Sequence, residues 1–280
     1  MGKNRSGLVW LASWMWLSAF SVFLCARDGG RGNDNIVMPD SLESPGQARY
    51  VHVIVALCDN VNQGIVKVPR RIGNGQDPAN NLYWGCGFGV KTFFKKHRDW
   101  KLISEITNPA ASIHERLVFR HANSPVFMVA DAYDGAAIRQ AIGDFLGYAA
   151  GQKKARVTFG QLQLKTGGDA DLICYVGHNG LMDFAFDVLP ARADQRARDV
   201  MIMACLSRDY FGAAMKKAGA RPLLWTTGLM CPEAYTLAAA IGSWIGNEAG
   251  GEIREVAAQV YSRYQKCGVR GARSLLVTGY

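Results

Sequence analysis

From residue 49 onward the chain switches repeatedly between short runs of β-branched and apolar residues and longer segments in which apolar residues recur every three or four positions. Residues 50–57 (YVHVIVAL) predict a buried strand that ends in the polar turn Cys58, Asp59, Asn60. Strands are also predicted over 100–106, 117–120, 126–130 and 222–226, while 171–176 (DLICYV) and 199–203 (DVMIM) read as apolar strands entered through an aspartate. The segment 136–150 predicts a crossover helix with Ile138, Ile142, Phe145, Leu146 and Ala149 on one face. Further helices are predicted in 81–96 after its glycines, and over 210–218, 233–245 and 252–267, the last aligning Ile253, Val256, Ala257, Val260, Tyr261 and Tyr264. Strands alternating with helices imply right-handed crossovers. The expected fold class is doubly wound α/β, a mostly parallel sheet with helices on both faces.

The chain before residue 49 has a different pattern. Residues 1–7 are polar and basic, and residues 8–26 are apolar apart from three serines, which reads as a signal peptide or N-terminal membrane anchor. The competing reading is a buried helix of the folded domain. Residues 27–48, rich in Gly, Asp, Asn, Ser and Pro, read as a flexible linker, so the α/β domain is expected over 49–280. The expected location is outside the cytoplasm: periplasmic, secreted, or tethered to the membrane by this segment alone.

Composition narrows the function classes. With 49% hydrophobic and 20% charged residues the 280-residue chain can build a core, and no repeat of solenoid or propeller length is present. The net charge of +9 invites a nucleic-acid reading. Against it, Lys3 and Arg5 belong to the terminal segment, and the pairs Arg70-Arg71, Lys95-Lys96 and Lys153-Lys154 lie far apart without interleaved aromatics. No nucleic-acid partner is therefore expected. The seven cysteines (25, 58, 86, 174, 205, 231, 267) contain no CxxC pair and no zinc spacing, and no GxGxxG directly follows a strand. Neither a metal nor another cofactor is expected, and the disulfide pairing and oligomeric state are left open.

In wound α/β sheets the chemistry lies beyond the carboxyl ends of the strands, which directs attention to Cys58-Asp59-Asn60, Asp131, residues 177–180, residues 204–207 and Thr227-Gly228. One strand ends in His178, flanked by Gly177 and Gly180, and the next ends in Cys205. Neighbouring strands lie about 4.8 Å apart, so parallel pairing brings both side chains to one rim. A thiolate there attacks a carbonyl, and an imidazole moves the proton. The backbone amides of Gly180 and Cys205 are the expected oxyanion hole. The helix predicted after Cys205 presents its positive end, which stabilises a nearby thiolate. The plainer alternatives are a small buried hydrophobe for Cys205 and a turn residue for His178. Cys58 is a rival nucleophile without a partner, since His52 sits inside its own strand. Asp59 and Asn60 are candidate substrate-binding residues, a buried carboxylate favouring a basic side chain, or else turn formers. Residues 81–89 border a groove or pack a helix, Ser207 lacks a GxSxG elbow, and Glu233 starts a helix after Pro232.

The run Ile173 to Gly180 (ICYVGHNG), followed by Val200 to Ser207 (VMIMACLS), resembles the two catalytic blocks of the caspase-like cysteine peptidases, the superfamily of caspases, metacaspases, legumains, gingipains and clostripain. The resemblance implies His178 as general acid/base, Cys205 as nucleophile and the amides of Gly180 and Cys205 as oxyanion donors. It implies an endopeptidase acting on a protein or peptide substrate through a thioacyl-enzyme, and the N-terminal segment adds the expectation that it is exported. In this chain Asn179 separates His178 from Gly180, whereas the family's histidine is usually followed directly by glycine. That departure motivates the alternative, a non-catalytic binding or scaffold protein of the cell envelope with the same fold. A third reading keeps Cys205 as nucleophile in an amidase for small amides.

Overall fold

The computed structural model describes residues 48–280. The expected signal peptide or anchor (1–26), and all of the expected linker (27–48) except its last residue, lie outside them. The described chain runs through β1 (Arg49–Ala56), α1 (Val90–Lys96), β2 (Trp100–Ala110), β3 (Ile113–His121), β4 (Val126–Tyr133) and α2 (Ile138–Ala149). It continues through β5 (Lys154–Phe159), β6 (Leu162–Gly167), β7 (Leu172–Val176), β8 (Asp199–Met203), α3 (Ser207–Ala218) and β9 (Arg221–Thr226). It closes with α4 (Ala234–Ile245), α5 (Gly250–Gln265), α6 (Val269–Leu275) and β10 (Leu276–Val277).

Eight strands form one sheet in the order β10-β9-β8-β7-β1-β4-β3-β2. The central run β9-β8-β7-β1-β4 is parallel, and the hairpin β2-β3 and short β10 add antiparallel edges. Parallel central strands are covered on both faces, so β4, β7 and β8 are buried throughout and β1 after its first residue. One face packs Val51, Val53, Met201 and Met203 against α1, α4 and α5, and the other packs Ile54, Tyr175 and Ile202 against α2 and α3. The protein is thus α/β, with a large, mostly parallel mixed sheet and helices on both sides. All five apolar positions expected on α2 are buried, each large side chain contributing about 1.5–3 kcal/mol.

Several boundaries differ from the expected ones. The helix expected after the glycines of 81–96 does begin there, as Val90–Lys96. The preceding stretch is held in turns by Asn81, whose Oδ1 accepts from the amides of Cys58 (3.0 Å) and Tyr83 (3.1 Å) while its Nδ2 donates to Cys58 O (2.9 Å). The edge strand β2 and its neighbour β3 extend well past their apolar centres, because burial of one face leaves their alternate residues polar. Hairpin β5-β6, a separate two-stranded sheet, was not expected at all, and neither were α6 and β10. On α5, Val256 and Tyr264 are exposed, so its buried face is narrower than its periodicity suggested.

Candidate active site at the carboxyl edge

The register places the two expected residues. β7 and β8 pair in parallel with Val176 opposite Met203, so His178 and Cys205 each stand two residues past the last paired position. Both strands end in unusual backbone. Gly177 has φ +147°, and a side chain there would meet Ala56 O at 2.8 Å, so the turn into His178 requires glycine. Leu206, directly after Cys205, is left-handed at φ 51°, a strained conformation for a branched side chain at the entry to α3.

His178 is 8% exposed and held from two sides. Its carbonyl accepts from Tyr175 Oη at 2.7 Å, and its Nε2 lies 2.7 Å from Asp183 Oδ2. A carboxylate only accepts, so Nε2 carries a proton, and among the described residues Nδ1 is the ring nitrogen without a hydrogen-bond partner. The same Asp183 oxygen accepts from Gly64 N at 2.9 Å, which fixes the carboxylate against the loop after β1.

Cys205 is half-buried. Its Sγ contacts the main chain of Met230, accepting from the amide at 3.3 Å and donating to the carbonyl at 3.5 Å. Among the described residues neither ring nitrogen of His178 is hydrogen-bonded to Cys205 Sγ. The link between the two loops is Asn179, fully buried, whose Nδ2 donates to Cys205 O at 2.7 Å and whose Oδ1 accepts from Leu181 N at 3.1 Å. Leu206 N donates to Gly228 O at 2.9 Å, tying the cysteine turn to the loop after β9.

Of the two amides expected as oxyanion donors, that of Gly180 is engaged within its own turn. The Gly180 amide donates to His178 O at 3.1 Å, because the 179–182 segment closes into a tight turn capped by Asn179. Among the described residues the amides of Asn179 and Cys205 donate to no acceptor. Asp59 and Asn60 are turned into their own loop. Asp59 Oδ1 accepts from Val61 N (2.8 Å) and Asn62 N (3.2 Å), and Asn60 exchanges two hydrogen bonds with the Val68 main chain. Burial works to raise the Asp59 carboxyl, but these bonds and those from the Asn62 and Gln76 side chains outweigh it and lower its pKa. Both are turn formers here.

The other thiols and the alternative nucleophiles are engaged elsewhere. Burial pushes the Cys58 thiol up to about 11 despite its bond to Tyr83, and burial raises Cys86 and Cys174 as well, which disfavours their thiolates. Ser207 Oγ is buried against Ile202 O and Thr226 Oγ1, both at 3.1 Å. His52 is structural: its Nδ1 accepts from Gly167 N at 3.0 Å and its Nε2 meets Asp131 Oδ2 at 3.1 Å, with Arg116 clasping the same carboxylate at 2.6 and 2.8 Å. Asp131 is therefore a buried ion-pair partner and not a rim residue.

Sequence reasoning missed Asp183, the Met230 main chain and the bracing role of Asn179. Only Asp183 had a signal, an acid five positions past the histidine. Among the described residues no group of three or more His, Cys, Asp or Glu side chains is placed to hold a metal ion. A cleft of about 510 Å³ opens at the opposite, amino-terminal edge of the sheet, where its charges pair internally, Arg196 with Asp171 and Arg221 with Asp199, each at 2.5 Å. It is remote from the carboxyl ends of β7 and β8, where His178 and Cys205 stand. No family model, curated protein or solved structure matches the chain.

Proposed function

We propose that the protein is an exported cysteine peptidase of caspase-like fold that hydrolyses peptide bonds through a thioacyl-enzyme. One observation carries the reading: His178 and Cys205 lie at equal offsets beyond the paired ends of adjacent parallel strands, at the edge where wound sheets do chemistry. In this reading Nδ1 of His178 takes the Cys205 proton, and the thiolate adds to the scissile carbonyl. The developing oxyanion is received by the amides of Cys205 and Asn179. The imidazolium then protonates the leaving amine as the C–N bond breaks, and water, deprotonated by the same ring, releases the acid and regenerates the thiol. Asp183 holds the imidazole in the required tautomer throughout. Because the thiol rests on Met230, its rotation toward the ring belongs to substrate binding, when catalytic hydrogen bonds commonly tighten.

A second reading, a non-catalytic binding protein of the cell envelope, is favoured by that same separation, since thiol and ring each have other partners. A peptide library incubated with the full-length protein and with Cys205→Ala separates the two. Cleavage by the first and none by the second is expected. Equal cleavage, or none by either, removes the peptidase proposal.

A further inference from the structure

We propose that Glu233, with the faces of Phe88 and Tyr264, forms the pocket that receives a basic side chain of the substrate, arginine or lysine, beside the scissile bond. This inference rests on the cysteine peptidase reading and names its substrate class. The segment that carries Glu233 is the one lying on the nucleophile: Met230 touches Cys205 Sγ at 3.3 Å, and Glu233 N donates to Cys231 O at 2.8 Å. The carboxylate is half-buried and held by neutral donors only, with Oε2 accepting from Tyr235 Oη at 2.7 Å and Gln265 Nε2 at 3.2 Å. Among the described residues Oε1 accepts nothing, and no lysine or arginine forms a salt bridge with the group. Burial pushes the Glu233 carboxyl up from its usual range, more than the bond from Tyr235 holds it down.

A half-buried carboxylate without a counter-ion is electrostatically incomplete, and a cation brought by a ligand completes it. The surroundings suit an organic cation. Ala234 N donates to Phe88 O at 2.8 Å, which brings the Phe88 loop onto the helix start. Tyr235 stacks on Tyr264 at 4.0 Å, and Phe88 meets both rings edge-on at 5.6 and 5.2 Å. Although packed together, Phe88 is 44% and Tyr264 41% exposed, so aromatic surface stands beside the acid. Carboxylate and open aromatic faces together recognise guanidinium or ammonium groups. Arg71, whose charge reaches nearby Cys86, directs its Nε to Asn80 Oδ1 at 2.9 Å and leaves Glu233 to a ligand.

The test uses full-length protein and fluorogenic peptides that differ only in the residue before the cleaved bond: arginine, lysine, citrulline or aspartate. Citrulline keeps the shape of arginine without its charge. The expected preference for arginine over citrulline in kcat/KM is about 30-fold or more, collapsing toward unity in Glu233→Gln, whose amide oxygen still accepts from Tyr235. Tyr264→Leu, at an exposed position, is expected to reduce the preference several-fold. Cleavage without a basic preference, or a preference that survives Glu233→Gln, overturns the pocket while leaving the peptidase reading intact. If no peptide is cleaved, the peptidase reading fails, and calorimetry with acetyl-arginine amide decides the pocket. Binding to Cys205→Ala that is lost in Cys205→Ala/Glu233→Gln supports it, and absence of binding overturns it.

Discussion

The side-chain amide of Asn179 donates to the carbonyl oxygen of Cys205 at 2.7 Å, bracing the loop that carries His178 against the turn that carries Cys205. The residue that departs from the pattern the sequence resembles is therefore the one joining the two loops of the candidate site. Its other end caps the turn containing Gly180, in which the Gly180 amide donates to His178 O.

Asn179→Ala leaves the Cys205 carbonyl without its buried donor, and a stability loss of about 1–3 kcal/mol is expected. Asn179→Asp should lose more, since a carboxylate would face the carbonyl. Urea unfolding measures both, and an aspartate variant as stable as the parent would show that the brace carries no weight.

Asp183→Ala frees the imidazole to rotate and to change tautomer. On the peptidase reading kcat should fall at least about 100-fold with KM little changed. A variant with unchanged kcat would remove Asp183 from the mechanism.

Gly64→Ala tests the same contact from the other side. Its new Cβ would stand 2.2 Å from Asp183 Oδ1, the movable end of a side chain, so the carboxylate shifts while the fold accommodates it. Activity should drop in the manner of Asp183→Ala, with stability changed by no more than about 1 kcal/mol. Normal turnover by this variant would mean that the position of Asp183 does not matter.

Thiol accessibility separates Cys205, the nucleophile of the proposed mechanism, from its neighbours. Cys58 and Cys174 are buried and raised by burial, so iodoacetamide should leave both unmodified in the folded protein. A peptidyl chloromethyl ketone ending in arginine should modify Cys205 alone, although Cys231 and Cys267 are exposed. Peptide mapping reads the site, and modification only at Cys231 or Cys267 would contradict the assignment of Cys205.

Acid should weaken the fold through Asp131. Burial works to raise this carboxyl, but the bonds from Arg116 and His52 prevail and hold it below its ordinary value. A depressed carboxyl stabilises the fold fully above the unfolded value, near about 4, and that contribution is lost as pH falls through the folded value. Arg116→Ala strands the buried charge, at an expected cost of about 3–5 kcal/mol at pH 7. The cost should shrink at pH 4, where Asp131 can take a proton. Denaturant unfolding at the two pH values checks this, and an equal loss at both would assign the effect to lost packing.

What the sequence determined by itself was the wound sheet and the place to look for chemistry. Strands covered on both faces must be apolar throughout, so β1, β7 and β8 are visible as unbroken runs, and the residues just past them identify the rim. Hairpin β5-β6 was hidden because its strands are mostly polar and only Val157, Leu164, Thr166 and Gly167 are buried. Only the tertiary structure decided what each rim residue touches. Asp183 meets Gly64, Cys205 meets Met230, and Glu233 meets Gln265 across gaps of 119, 25 and 32 positions. A linear pattern carries periodicity but no information about which loops are folded against each other. That choice is made by the packing of helices on the two faces of the sheet, which sets the partners of every hydrogen-bonding group along its edge.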